Sequence, residues 1–212
     1  MITEEIENPG AVGAQADSAK RRQIIDGARR VFLAQGFDAS SMGAIAREAG
    51  VSKGTLYVYF KSKEELFEAI VDERRRRQAE EIFTFDGSSD IETELTRLGE
   101  AFVRFLCKPE GISTLRTVIA IAERMPELGA KFYATGPALG ITNLQRYLEG
   151  QVAAGVLEPL DCEVAAAQFI DSCTSLTFKP MMFNFAGSPD EAQIRRVVGT
   201  AVTTLLAAYR KR

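Results

Sequence analysis

The residues best suited to chemistry lie in one short segment, residues 41–60, and the chemistry that they suit is binding to a nucleic acid. Lys53 and Tyr57 are four residues apart, so a helix would place both side chains on one polar face. A lysine on such a face can bind phosphate, whereas Thr55, Tyr57 and the backbone exposed at Gly54 can contact base edges. This spacing predicts a helix-turn-helix, in which the second helix enters the major groove of DNA.

The elements that must position this face are two short helices that cross steeply. Ala46 and Ala49 are small enough to let the helices approach closely, and Gly50 permits the tight turn between them. Leu56 and Phe60 are four residues apart and would anchor the second helix in the core. An ordinary helical hairpin is the alternative, and the density of suitable positions favours the DNA-binding motif.

Net charge divides the chain into three parts. Residues 18–77 carry a net charge of +5, whereas residues 1–17 and residues 78–212 each carry −4. This contrast indicates that only the basic part meets a polyanion. The starts of short helices, at Ser41 and Ser52, also present free N–H groups to phosphate. The predicted DNA contacts are Arg21, Arg22, Ser41, Ser52, Lys53, Gly54, Thr55, Tyr57, Tyr59 and Lys63.

Composition argues against several other functions. The sequence contains no histidine, which removes Ser-His-Asp and Cys-His catalysis and the common zinc sites. Cys107, Cys162 and Cys173 are widely spaced, which predicts buried, reduced thiols and no disulfide framework. We therefore expect no enzyme, cofactor or metal site. Residues 1–17 lack the features of a signal peptide, and no apolar run approaches the ~20 residues of a membrane span, so we expect a cytoplasmic protein.

Helical periodicity recurs along the chain and strand-like alternation is missing, which predicts an all-α fold of about nine helices. Residues 1–17 are interpreted as a flexible acidic tail and residues 18–77 as the helix-turn-helix domain. Residues 78–212 form a larger helical body. Gly136 and Pro137 should kink or split a helix within that body.

The stretch from Ala19 to about Ile70 resembles the DNA-binding domain of the TetR (tetracycline repressor) family. The resemblance rests on Ile25, Ala28, Phe32, Gly36-Phe37, Ile45-Ala46, Ala49 to Tyr57, Tyr59-Phe60 and Lys63 to Leu66. The body is similar to AefR-like ligand-binding domains at Arg116, Ala122 to Arg124, Pro126 to Leu128, Phe132-Tyr133 and Gly136-Pro137.

The resemblance implies a homodimeric repressor that leaves a palindromic operator when a small molecule enters its body. It also implies that the last two helices of each copy form the dimer interface. The residues expected there are Phe169, Cys173, Leu176, Ile194, Val197, Val198, Ala201 and Leu205. An apolar or aromatic effector would contact Phe102, Phe105, Arg116, Ile119, Glu123, Phe132, Tyr133 and Phe178.

Three alternatives stay open at this point. Arg116 and Glu123 are seven residues apart, and either a buried ion pair or a ligand clamp would explain them. The basic segment could bind nucleic acid without sequence preference, in which case a large apolar body would be unexplained. An enzyme with a carboxylate- or lysine-based site in the body is the third alternative, although no catalytic constellation is apparent.

Overall fold

The computed structural model describes residues 9–85, 89–158 and 161–211, with the side chains of residues 17–72 and of residues 82 onward within those ranges. Over these residues the fold is all-α, and the only strand-like pairing is one bridge between Leu157 and Arg210. None of the described helices is both long and apolar enough to span a membrane. The eleven helices are α1 (Pro9–Gln35), α2 (Met42–Glu48), α3 (Lys53–Tyr59), α4 (Lys63–Ile82), α5 (Ile91–Leu106), α6 (Pro109–Ile121), α7 (Pro126–Thr135), α8 (Pro137–Ala153), α9 (Cys162–Thr174), α10 (Phe178–Met182) and α11 (Glu191–Tyr209).

The first helix begins within the segment that was interpreted as a flexible tail, residues 1–17. Helix α1 begins at Pro9, so residues 9–17 are helical, whereas residues 1–8 lie outside the described residues. Proline is tolerated in the first turn of a helix, and residues 11–19 include four alanines, the residue of highest helix propensity.

The helix count exceeds the predicted nine for two reasons. Gly136 and Pro137 end one helix and begin the next, so the single predicted segment becomes α7 and α8. The second addition is α10, a five-residue helix in the connection between α9 and α11. Such a short helix leaves almost no periodic pattern in a sequence.

The chain divides into two compact units, Met1–Glu73 and Arg74–Arg212, which are called the head and the body below. The division falls inside α4, whereas the sequence interpretation placed it after residue 77. An uninterrupted helix offers no loop or change of composition at which to place a boundary.

Aromatic packing holds the head together. The rings of Phe32, Phe37 and Phe67 lie 5.4–5.7 Å apart in pairs, with two of the three contacts edge-on. These residues come from α1, the loop after it, and α4. Edge-on contacts between buried rings add to the free energy of burial. This cluster therefore stabilises the packing of α1 and α4, which support α2 and α3.

The body core lies where α5, α8, α9 and α11 pack on one another. Gly99 on α5 allows the closest approach, since a Cβ there would lie 2.7 Å from Val198 Cγ1 and 3.2 Å from Cys173 Sγ. All three cysteines are free and buried, which confirms the prediction of reduced core thiols. Burial raises the pKa of Cys107 to about 11 and that of Cys173 to about 12, so both thiols stay protonated at neutral pH.

Candidate nucleic-acid interface

Two serine caps fix the starts of α2 and α3. The Ser41 hydroxyl accepts a hydrogen bond from the Ala44 N–H at 3.2 Å, and the Ser52 hydroxyl accepts one from the Thr55 N–H at 2.9 Å. The hydroxyls of Ser52 and Thr55 also lie 2.8 Å apart. Such caps stabilise short helices by roughly 1 kcal/mol each. The first role of these serines is therefore to orient the two helices.

Helix α3 is anchored on one side and open on the other. Leu56 is fully buried and Phe60, which follows the helix, is 2% exposed. Tyr57 is 52% exposed and Val58 is 81% exposed, and Lys53 and Gly54 are also exposed. A rigid helix thus presents a mixed polar and apolar face to solvent, as base reading in a major groove requires.

Val58 is a residue that the sequence interpretation missed. It lies two positions from Leu56, about 200° around the helix, so it must point away from the core when Leu56 is buried. The spacing of these two residues in the sequence therefore predicts that Val58 is exposed. An apolar side chain on this open face suits contact with the methyl group of thymine.

Gly43 is a second missed residue, and it makes room for Lys53. A Cβ at Gly43 would lie 3.1 Å from Lys53 Cε and 3.4 Å from its Nζ. The lysine side chain therefore crosses the first turn of α2, and its exposed ammonium group lies beside that turn. Glycine inside a helix costs about 1 kcal/mol relative to alanine, which is the only signal that the sequence carried.

The crossing of α1 and α2 depends on another glycine. A Cβ at Gly27 would lie 2.6 Å from Ala49 Cβ, and the Gln23 side-chain amide donates to the Ala49 carbonyl at 2.7 Å. Gly50 follows with φ 65°, a left-handed conformation that most other residues adopt only with strain. Gly50 makes the turn that the sequence interpretation expected, whereas Ala49 packs on Gly27 of α1 and not between the two short helices, and Gly27 was missed.

Lys63 makes contacts that the sequence interpretation did not predict. Its ammonium group donates to the carbonyls of Phe37, Asp38 and Ser40 at 2.9, 3.2 and 3.5 Å, and lies 4.5 Å from the centre of the Phe37 ring. An ammonium group has three N–H donors, and these three carbonyls use all of them. In this structure Lys63 closes the loop after α1, and its contact with phosphate stays a prediction.

Tyr59 also turns towards α1. Its hydroxyl donates to Asp17 Oδ1 at 2.7 Å, and this hydrogen bond is the main reason why the pKa of Tyr59 is raised. The contact of Tyr59 with DNA stays a prediction. Arg21 and Arg22 are exposed, and the Arg21 guanidinium lies 5.1 Å from the centre of the Phe60 ring. Arg21 can keep this ring contact while its charge faces solvent.

The predicted effector contacts separate into two groups. Ile119 and Tyr133 are 59% and 58% exposed, and Glu123 is exposed beyond the end of α6, so these three residues do not line an interior site. Residues 118–121 are all apolar, so periodicity could not select the outward ones. The half-buried residues that remain candidates are Phe102, Phe105, Phe132 and Phe178.

Within the part of the chain that the structure describes, Arg116 does not form the ion pair with Glu123 that their spacing suggested. Its guanidinium donates to the carbonyls of Met181 and Met182 and to the Asn184 side chain at 2.5, 3.1 and 2.7 Å. The residue therefore positions the connection that follows α10.

A polar group that the sequence interpretation missed lies on α8. The Tyr147 hydroxyl is buried and has no hydrogen-bond partner among the described residues. The Tyr147 ring stacks on Phe85 with centroids 4.1 Å apart. Burial, followed by the charges of Glu94 and Asp90, raises the pKa of Tyr147 to about 12, so the group is a neutral donor at neutral pH. Leaving a buried donor unpaired is costly, which makes this hydroxyl a candidate for hydrogen bonding to a bound molecule.

Most of the predicted dimer contacts are buried within a single chain. Seven of the eight residues are at most 7% exposed within a single chain: Phe169, Cys173, Ile194, Val197, Val198, Ala201 and Leu205. Residues that are already buried cannot gain much from a second copy. Leu176 alone of the eight is exposed, at 53%. Periodicity finds the apolar side of α9 and α11, but the body itself covers that side.

Two family models match the chain. The model described as bacterial regulatory proteins, tetR family, matches residues 24–70. The model described as the C-terminal domain of AefR-like transcriptional repressors matches residues 93–211, more than half of the chain. The chain belongs to the TetR family. As a TetR-family protein it is a DNA-binding transcriptional regulator with a helix-turn-helix head.

Relatives of this TetR-family regulator match both the head and the body. It is 29% identical over 197 residues to an uncharacterised helix-turn-helix regulator of Mycobacterium tuberculosis, covering 89% of the chain and 88% of that relative. A Mesorhizobium loti protein assigned to the TetR family is 27% identical with a TM-score of 0.84, covering 92% and 98% of the two chains. The flavonoid-responsive regulator FrrA is 30% identical with a TM-score of 0.77, covering 92% and 99%.

Proposed function

We propose that this protein is a homodimeric repressor that binds a palindromic operator through α3 and leaves it when a small aromatic molecule binds the body. The observation that carries the proposal is the solvent-exposed face of α3, a helix that the Ser52 cap and the buried Leu56 hold in place. Tyr57 and Val58 are the base-reading residues, and Lys53 binds phosphate. We expect this repressor in the cytoplasm, because a bacterial chromosome lies there.

Dimer formation matches the symmetry of a palindrome, because two α3 helices must lie about 34–36 Å apart to enter successive major grooves. Members of this family dimerise, and we assign the interface to the outward faces of α9 and α11. Val164 and Leu176 on α9 are 47% and 53% exposed. On α11, a Cβ at Gly199 would meet nothing within 4 Å, which leaves space for a second helix.

Two features of the body support this effector class. Four half-buried phenylalanines on α5, α7 and α10 supply apolar contact, and the unpaired Tyr147 hydroxyl supplies one hydrogen-bond donor. A planar phenolic ketone combines an aromatic surface with a carbonyl acceptor. The likeness to a flavonoid-responsive regulator over nearly the whole chain supports the same class.

Operator binding is tested with a sequence selected from random DNA and with the variants Lys53→Ala and Tyr57→Ala. The Lys53 variant should weaken binding and reduce the slope of log K against log salt by about 1.8, or about 0.9 for each copy. The Tyr57 variant should weaken binding by about 1–3 kcal/mol and relax base preference at its position. Lys108→Ala, an exposed lysine of the body, is the matched control and should change neither quantity. Tight binding with no selected sequence, or a double variant that binds as wild type does, would refute operator reading.

The effector is tested by thermal shift with flavonoids and, as the contrasting class, with fatty acids. A flavonoid present at 100 times its Kd should stabilise the protein by about 2.7 kcal/mol and release the operator. Tyr147→Phe removes the unpaired hydroxyl without changing shape, so it should preserve stability and lower flavonoid affinity about tenfold. Release by fatty acids alone, or a Tyr147→Phe variant with unchanged flavonoid affinity, contradicts this effector assignment.

A further inference from the structure

Two phenyl rings on the connection between α10 and α11 are almost fully exposed. Phe183 is 85% exposed and Phe185 is 86% exposed, whereas the other phenylalanines with described side chains are buried or half-buried. Two exposed rings separated by a single residue indicate a binding surface, whereas apolar residues scattered singly over a surface are normal. The effector proposal uses neither ring.

The connection that carries these rings is held in one conformation. Asn184, between them, has φ 54° and is the only residue other than glycine with positive φ among those described. The Asn184 N–H donates to the Met181 carbonyl at 3.1 Å, and the Phe185 N–H donates to the Pro180 carbonyl at 3.0 Å. Arg116 holds the same turn through the Asn184 side chain. Rings presented by a fixed backbone lose little freedom on binding, so they suit an interface.

The position and charge of the connection identify its occupant. It joins the end of α9 to the start of α11, and the Gln193 side chain on α11 donates to the carbonyl of the exposed Leu176 at 2.9 Å. Leu176 thus lies next to the start of α11, and the two rings lie in the segment that joins the two helices that the dimer proposal uses. Residues 180–189 contain no charged residue, which suits an apolar protein surface and disfavours a nucleic acid or an anionic membrane.

We infer that Phe183 and Phe185 pack against the second copy of this chain and contribute a large share of its dimer affinity. The inference rests on the homodimer proposed above and adds the residues that stabilise it. In a twofold dimer each copy presents the same connection, so the contact is made twice and four rings are buried. Such aromatic anchors are typical of residues that dominate interface energetics.

The test is the double variant Phe183→Ser/Phe185→Ser, with the monomer–dimer constant measured by sedimentation velocity over a dilution series. The dimer Kd should rise at least 100-fold, with an unchanged circular dichroism spectrum. Tyr133→Ser, which alters a 58% exposed aromatic residue on α7, is the control and should leave the dimer Kd unchanged. An unchanged Kd for the double variant would overturn the inference and leave the homodimer and operator binding intact. A wild-type chain that stays monomeric at every concentration would overturn the homodimer itself.

A second measurement does not depend on weakening the dimer. The chain contains no tryptophan, so Phe183→Trp introduces a single reporter at the surface in question. Its emission should shift to shorter wavelength, and its quenching by acrylamide should fall, as the protein concentration rises through the dimer Kd. A solvent-exposed emission at all concentrations would overturn the inference. So would a shift caused by neutral phosphatidylcholine vesicles but not by protein concentration, which would assign the rings to a lipid surface.

Discussion

Gly27→Ala is the perturbation whose magnitude follows most directly from the structure. The new Cβ would lie 2.6 Å from Ala49 Cβ and 2.7 Å from Ala49 Cα, whereas ordinary contacts are 3.4–4 Å. Because the obstructing atoms include backbone, α1 and α2 must separate by about 1 Å. Overpacking of this kind costs about 3 kcal/mol, at the upper end of its usual range. The gain in helix propensity offsets about 1 kcal/mol, which leaves a net destabilisation of about 2 kcal/mol.

The matched control is Gly150→Ala in α8, where a Cβ would meet nothing within 4 Å. This change should stabilise the protein by about 1 kcal/mol, so the two alanine variants should differ by about 3 kcal/mol. Urea denaturation followed by circular dichroism measures the free energy of unfolding, and hydrogen exchange of head and body peptides assigns the loss. A Gly27→Ala variant as stable as Gly150→Ala would refute the argument that close helix crossing requires glycine at residue 27.

Two further predictions concern charged groups. Lys63→Met should destabilise the head by about 2 kcal/mol, because three carbonyls lose a charged donor and the Phe37 ring loses a cation; unchanged urea stability of the variant would contradict this structural role. Glu191 has a lowered pKa, chiefly because Arg104 donates hydrogen bonds to its carboxylate. A carboxyl group whose pKa is lower in the folded protein than in the unfolded chain stabilises the fold at pH values above the unfolded-state pKa. This stabilisation is lost as the pH falls through the folded-state pKa. The difference in Tm between wild type and Glu191→Gln should therefore be full at pH 7, begin to fall near the usual value of 4.5, and disappear once the pH is below the lowered folded-state pKa; a difference that does not change with pH would argue against this ion pair.

Much of the head was predictable because its signals are local. Serine caps act on N–H groups three residues later, and the alternation of buried Leu56 with exposed Tyr57 follows from the pitch of one helix. The all-α fold and the family followed from the same short-range patterns. Within the body, the break at Gly136 and Pro137 was also a local signal.

Only the tertiary structure decided which residues meet which partners. The acceptors for Lys63 lie 23 to 26 residues earlier in the chain, and those for Arg116 lie 65 to 68 residues later. No periodic pattern reports contacts over such separations. In the same way, Phe169 is buried while Phe183 and Phe185 are exposed, although all three have the same side chain. Sequence determines that a side chain is apolar or charged, whereas the packing of distant elements determines whether it fills the core, closes a loop or faces a partner.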